Sequence, residues 1–201
     1  NGMKFFNGAH GFEEGNNLLR EFARLLKSTF GSENSCRFGS DHFAVFTSED
    51  GLEERLVTFF EDARLVNDGK SLPVRVGIYT HRMGDTTISA TCDRAKLACD
   101  SLRDTYGSCY SYYERTLLQK AERRLYVLAN LDRALENEWV HVHYQPIVRT
   151  VTGSVCDEEA LSRWEDPEHG RLLPSDFIPA LEDAGVIYKL DLYVLDKVLE
   201  M

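Results

Sequence analysis

The sequence is short of several things that would have fixed a class at once. No stretch approaches the roughly 20 consecutive apolar residues that span a bilayer, and no basic-then-apolar leader opens the chain. Basic residues are outnumbered, 23 Lys and Arg against 33 Asp and Glu, for a formal charge of −10. That sign argues against a nucleic-acid polymer as a broad partner, since a phosphate backbone needs clustered cations. A small nucleotide, held by a few placed donors and a divalent cation, stays open. Cysteine is sparse: Cys36, Cys92, Cys99, Cys109 and Cys156 are odd in number and form no CxxC pair. The pattern argues against a disulfide framework or a zinc ribbon and for a reduced, cytoplasmic setting. Asn1-Gly2-Met3 reads as an internal start, leaving room for an anchor or sensor upstream.

What is present is ordinary for a folded protein. Hydrophobic residues make up 43% and charged residues 28%, enough for a real core. Leu18, Leu19, Phe22, Leu25, Leu26 and Phe30 recur on one stripe, which predicts a helix over 16–30. CRF and FAVF flank the turn GSDH and read as a hairpin. A second amphipathic helix is expected over 52–66, stopped by Asn67-Asp68-Gly69. Strands are expected at 72–80 and 109–114, with a helix over 86–107 between them. The order predicts helices packed on a mainly antiparallel sheet. The first strand of such a sheet would be mostly absent.

From Arg115 to Asn137 the pattern changes. Leu118, Ala121, Leu125, Leu128, Leu131 and Leu135 recur at helical spacing without a Gly or Pro between them. This run is expected to be a connecting helix, 115–137, between a first domain at 1–114 and a second unit at 138–201. In the second unit, 139–148 and 154–164 read as strands around the turn Thr150-Val151-Thr152-Gly153. Helices are expected near 176–184 and from 189.

The turn RFGSDHF, Arg37 to Phe43, resembles the signature of the GGDEF family, the diguanylate cyclases, in which an Arg-aromatic-Gly-Gly-Asp-Glu-Phe turn holds GTP and metals. MKFFNGAHGFEEGNNLL (3–19), VRVGIY and CDRAKLA (92–98) resemble further segments of that family in the same order. The resemblance implies a nucleotidyl-cyclase-like α+β domain with a degenerate nucleotide site at Asn7, Asn16, Gly39, Ser40, Asp41 and His42. Asp41 would be a weak metal ligand. His42 replaces a carboxylate, and Ser40 adds a side chain where the backbone should approach phosphate. Asn16 replaces an Asp whose carboxylate could accept from both guanine N1–H and N2–H; an amide offers one acceptor and an opposing donor. Diguanylate cyclase activity is therefore not expected, and at most a weak GTP contact is. The family's inhibitory Arg-x-x-Asp would fall on Phe30 to Glu33, where the sequence is FGSE, so no product binding is expected there.

YQPIV (144–148), EALSRW (159–164), DPEHGRLLPSDFIPALEDAGVI (166–187) and LDLYVLDKVL (190–199) resemble the start of the EAL family, cyclic-di-GMP phosphodiesterases built on a (β/α)8 barrel. On a strand, Glu159, Leu161 and Arg163 point to one face. The resemblance implies that Glu159 is a divalent-metal ligand, Arg163 a substrate-phosphate contact and Gln145 a substrate-positioning residue. His141 and His143 have no such match and read as ordinary strand histidines. The expected parent is a GGDEF–EAL protein of bacterial cyclic-di-GMP signalling, with a silent regulatory first domain that can dimerise. Its EAL domain would use Mg or Mn to open cyclic-di-GMP to pGpG; the chain itself requires no cofactor and is expected to be inactive alone. The alternative is a non-enzymatic cyclic-di-GMP or GTP receptor, or an interaction scaffold.

Overall fold

A computed structural model describes residues 2–82, 87–103 and 105–200. The chain divides into two compact units between Leu117 and Leu118. In the first, α1 (Gly2–His10) and α2 (Phe12–Phe30) precede β1 (Ser35–Gly39) and β2 (His42–Val45); α3 (Leu52–Leu65), β3 (Arg75–Ile78), α4 (Ile88–Asp100) and β4 (Cys109–Tyr112) follow. Helix α5 (Arg115–Glu136) starts in the first unit and continues into the second. That unit adds β5 (Val140–Val148), β6 (Val155–Asp166), β7 (Gly170–Leu172), α6 (Pro174–Asp183) and α7 (Ile187–Leu199).

The apolar stripe of α2 does what its spacing predicts. Leu26 and Phe30 are buried against Leu52, Leu56, Phe59 and Phe60 of α3, and Phe22, Phe43 and Val45 pack on the same cluster. The Phe22, Phe30 and Phe59 rings meet in edge contacts at 5.5–5.6 Å, a geometry that adds to plain area burial. Helix α2 begins at Phe12, four residues before the expected start at 16, and residues 2–10 form a helix of their own.

The expected mainly antiparallel sheet is corrected. Strands β1 and β2 form an antiparallel hairpin, but β3 and β4 make a separate ladder and are parallel. The reason is the crossover: α4 carries the chain back, so β4 must run in the direction of β3. Gly77 lets α4 lie directly on β3. A Cβ there would sit 1.9 Å from Ala95 O and 2.3 Å from Cys99 N, both backbone atoms. Thr87 caps α4, its hydroxyl accepting from Ala90 N–H at 3.3 Å. The helix stops at Asp100 rather than near Gly107. Past that point Ser101 Oγ donates to Ala98 O and Thr105 Oγ1 to Leu102 O, local bonds that compete with helix continuation. Thr86 and Asp104, both within the expected helix over 86–107, lie outside the described residues.

The second unit is built on one three-stranded antiparallel sheet, β5-β6-β7, with β5 and β7 at its edges. Val140 and Trp164 form an opposed pair on the covered face. Around them lie Val127, Leu131 and Ala134 of α5, Phe177 and Leu181 of α6, and Leu190 of α7. A regular (β/α)8 barrel has parallel strands; here all pairing is antiparallel, and the described residues do not close a barrel. Strand β7 is not visible as alternation in its three residues. It exists because Asp166 organises the preceding turn. Its Oδ1 accepts from Glu168 N–H and His169 N–H, both at 2.9 Å, and Gly170 turns at φ 68°. Tyr126 of α5 donates to the same carboxylate at 2.9 Å. Burial alone would raise the Asp166 carboxyl, but the His169 and Glu168 backbone bonds and the Tyr126 bond outweigh it and hold it below its ordinary value. The Tyr126 hydroxyl, desolvated and facing that charge, is pushed up to about 12.

Candidate functional site

Strands β5 and β6 place the second unit's expected site residues on one wall. In the antiparallel register Gln145 stands opposite Glu159, His143 opposite Leu161 and His141 opposite Arg163. Directly opposed residues share a face, and alternate residues on each strand share it too. The covered face takes the other set, including Val140 and Trp164. Gln145, Glu159, His141 and His143 are exposed, while Leu161 and Arg163 are half-buried. The Arg163 guanidinium donates from Nη1 to Ser162 O at 2.8 Å, so it is held along its own strand.

Glu159 fits one position of a Mg or Mn ion: it is a hard oxygen donor, exposed, and makes no ion pair among the described residues. It does not make a metal site by itself. Among the described residues no three His, Cys, Asp or Glu side chains are grouped to hold a metal. The wall thus carries a carboxylate, an amide and a guanidinium on one face, a set suited to a phosphate ester held between a cation and an arginine.

In the first unit the expected residues are distributed differently. The Ser40–Asp41 turn links Gly39 and His42, which are register partners, and β1 bulges between Arg37 and Gly39. Gly39 has φ 144° and Ser40 φ 49°, backbone conformations that a glycine pair would adopt without strain. Arg37 folds over this turn, Nε donating to Ser40 O at 2.9 Å and Nη2 also reaching that oxygen. Asp41 Oδ1 lies 3.4 Å from His42 Nδ1, so the carboxylate faces an imidazole where the GGDEF pattern has a second acid. Asn7, on α1, is turned inward: its Oδ1 is buried without a hydrogen-bond partner, and any Cβ on Gly15 would lie 1.9 Å from it. Gly15 precedes Asn16, which is exposed.

Two features escaped the sequence reading. One is the cross-strand register that sets His143 opposite Leu161 and His141 opposite Arg163; alternation along 139–148 already placed both histidines on the face of Gln145, where they read as ordinary strand histidines. The other is a cleft of about 450 Å³ at the ends of β3 and β4, lined by Tyr79, Thr80, Arg82, Tyr112, Tyr113 and Arg115; the Arg94 guanidinium lies 5.0 and 5.9 Å from the Tyr79 and Tyr113 rings. No sequence signal marked it, because its residues come from two segments some thirty residues apart.

Residues 128–201 match the family model of the EAL domain. Across 204 residues the chain is 28% identical to the bifunctional diguanylate cyclase/cyclic di-GMP phosphodiesterase MucR of Pseudomonas aeruginosa, covering 98% of this chain and 30% of that protein. It is 34% identical over 184 residues to the oxygen sensor protein DosP of Escherichia coli, covering 89% of this chain and 23% of that one. The solved S helix-GGDEF-EAL portion of LapD from Vibrio cholerae, bound to c-di-GMP, superposes with a TM-score of 0.50 at 19% identity. That match covers 98% of this chain and 48% of the other, and it is a likeness of fold. The chain spans less than a third of the length of the two curated relatives. Among the described residues no helix is long and apolar enough to cross a membrane.

Proposed function

We propose that this chain is part of a longer cyclic-di-GMP signalling protein of the GGDEF–EAL type, and that its catalytic wall begins on β5 and β6. The single observation that carries the reading is the alignment of Gln145, Glu159 and Arg163 on one accessible face inside the segment that matches the EAL domain. In this reading residues 1–114 are a degenerate GGDEF domain, 115–137 the connecting helix and 138–201 the opening of the EAL domain.

The roles follow from chemistry. Glu159 supplies one oxygen ligand to Mg or Mn; the ion, when bound, lowers the pKa of water enough to supply a nucleophile at neutral pH. Arg163 leaves its Ser162 carbonyl partner to neutralise a phosphate oxygen. Gln145, opposite Glu159, orients the substrate by hydrogen bonding. The remaining ligands and the general base belong to the rest of the parent. The reaction assigned to that parent is hydrolysis of one phosphodiester of cyclic-di-GMP to give linear pGpG. The first unit is assigned a regulatory role without cyclase chemistry, because the carboxylate pair at the turn has become Asp41 and His42.

The test is turnover by the full-length protein with Mg or Mn, with Glu159→Gln and Arg163→Ala beside it. Hydrolysis by the unmodified protein, lost by about 100-fold or more in each variant, is the expected result. Binding of cyclic-di-GMP without turnover would convert the reading into a receptor. Absence of both binding and turnover would refute it.

A further inference from the structure

His143, which reads from sequence as an ordinary strand histidine, stands at the centre of the wall. Glu159 and Arg163 are four residues apart on β6, a separation of about 13 Å between their α-carbons. A phosphate held between a cation on Glu159 and the Arg163 guanidinium must lie over the midpoint, Leu161. Leu161 offers no hydrogen bond. The residue directly across from it is His143, and opposed side chains on such a pair start only about 4.5–5.5 Å apart at Cβ. His143 is also the diagonal neighbour of both Glu159 and Arg163, within reach of a group lying between them.

The two wall histidines differ in company. Glu138 is held below the ordinary carboxyl range, chiefly by Lys197 at 2.8 Å and to a smaller degree by His141. His141 thus already has an electrostatic neighbour. His143 is exposed, packs into neither core cluster, and makes no hydrogen bond or ion pair among the described residues. An imidazole N–H needs an acceptor only when water is removed from it. A phosphodiester laid across Leu161 would do both, displacing the water and supplying the acceptor.

We infer that His143 is a substrate-contacting residue of this wall, donating a hydrogen bond to a non-bridging oxygen of the phosphodiester held between Glu159 and Arg163. The inference rests on the functional reading above. It adds a third donor, between the arginine and the amide, and makes Leu161 the apolar floor beneath the phosphate.

The test uses the full-length protein and cyclic-di-GMP as the probe. Binding is measured with Mg present by rapid mixing under single-turnover conditions, so that the cation on Glu159 is in place and affinity is separated from chemistry, and steady-state kinetics are then measured with Mg. Loss of one hydrogen bond to a charged group predicts that His143→Ala weakens binding by about 10-fold or more. It should raise KM more than it lowers kcat, because the contact holds substrate and transition state alike. His143→Gln keeps an N–H donor at similar reach and should bind within about threefold of the unmodified protein. Affinity unchanged in His143→Ala overturns the inference while leaving the phosphodiesterase reading intact. Equal loss in both variants, with native tryptophan fluorescence, overturns the hydrogen-bonding role. An unmodified protein that neither binds nor cleaves the dinucleotide overturns the inference together with the reading it rests on.

Discussion

Removing the Asp166 carboxylate is the sharpest test of how the second unit is held together. That side chain is 4% exposed and serves three donors: the Tyr126 hydroxyl, reaching both oxygens, and the N–H groups of Glu168 and His169, all at 2.9 Å. A hydrogen bond to a charged group contributes roughly 1.5–3 kcal/mol net. The turn is exposed and Tyr126 half-buried, so water recovers part of what is lost, and Asp166→Ala should cost about 3–4 kcal/mol. Asp166→Asn keeps one carbonyl oxygen able to accept from the turn but loses the charge, for about 1–2 kcal/mol. Both tryptophans, Trp139 and Trp164, follow Leu118, so their fluorescence during a urea titration reports the second unit alone. With a slope of about 1–3 kcal/mol per molar, the midpoint should fall by roughly 2 M in the alanine variant and by about half that in the asparagine variant. The pH dependence has a definite sign. The folded carboxyl lies below its ordinary value of 3.8, so its contribution is full above that value and disappears as pH falls through the depressed one. The gap between unmodified protein and Asp166→Ala must therefore narrow in acid. A midpoint within about 0.3 M of the unmodified protein at neutral pH would refute the assignment of this carboxylate as the organiser of the β6–β7 turn.

Two further outcomes follow from the first unit. Gly77→Ala puts a methyl group against the backbone of α4, 1.9 Å from Ala95 O; helix and strand must separate, and a loss of about 3 kcal/mol or more is expected, read by urea denaturation followed by circular dichroism. Incubation with GTP and Mg or Mn should yield no cyclic-di-GMP, because the turn presents Asp41 beside His42 rather than two acids; product detected by chromatography would overturn that reading of the turn.

The strongly periodic parts were legible before any coordinates. The α2 stripe, the hairpin around Ser40–Asp41 and the alternation of β6 depend on local pattern, and local pattern determines which face is buried. The helix at α5 was legible too, but not its buried face, since Leu118 and Leu125 of the expected stripe are exposed while Val127 and Ala134 are buried with Leu131. The parallel pairing of β3 with β4 was not legible. Each strand has four residues, too few to distinguish pairing direction by composition, and the information lies in the crossover by α4. Strand β7 escaped for a different reason: it is stabilised by one carboxylate gathering a turn, and side-chain capping of that kind leaves no periodic trace. At the candidate site the motif EALSRW pointed to Glu159 and Arg163 together. What sits across from them depends on register, so His143 acquired meaning only once Leu161 was seen to be its partner.

The position of β5 at the margin of its sheet bears on how the chain behaves in a test tube. Nine residues long, it has its outer row of N–H and C=O groups unclaimed by any other strand among the described residues. Such a row is a template for a further strand, and Pro146 withholds only one donor from it. Ile147, Val148 and Val155, all at least 45% exposed, lie at one end of the same pair. Preparations of the isolated 201-residue polypeptide should therefore self-associate with rising concentration, and a charged replacement such as Ile147→Lys should raise the concentration at which aggregates form.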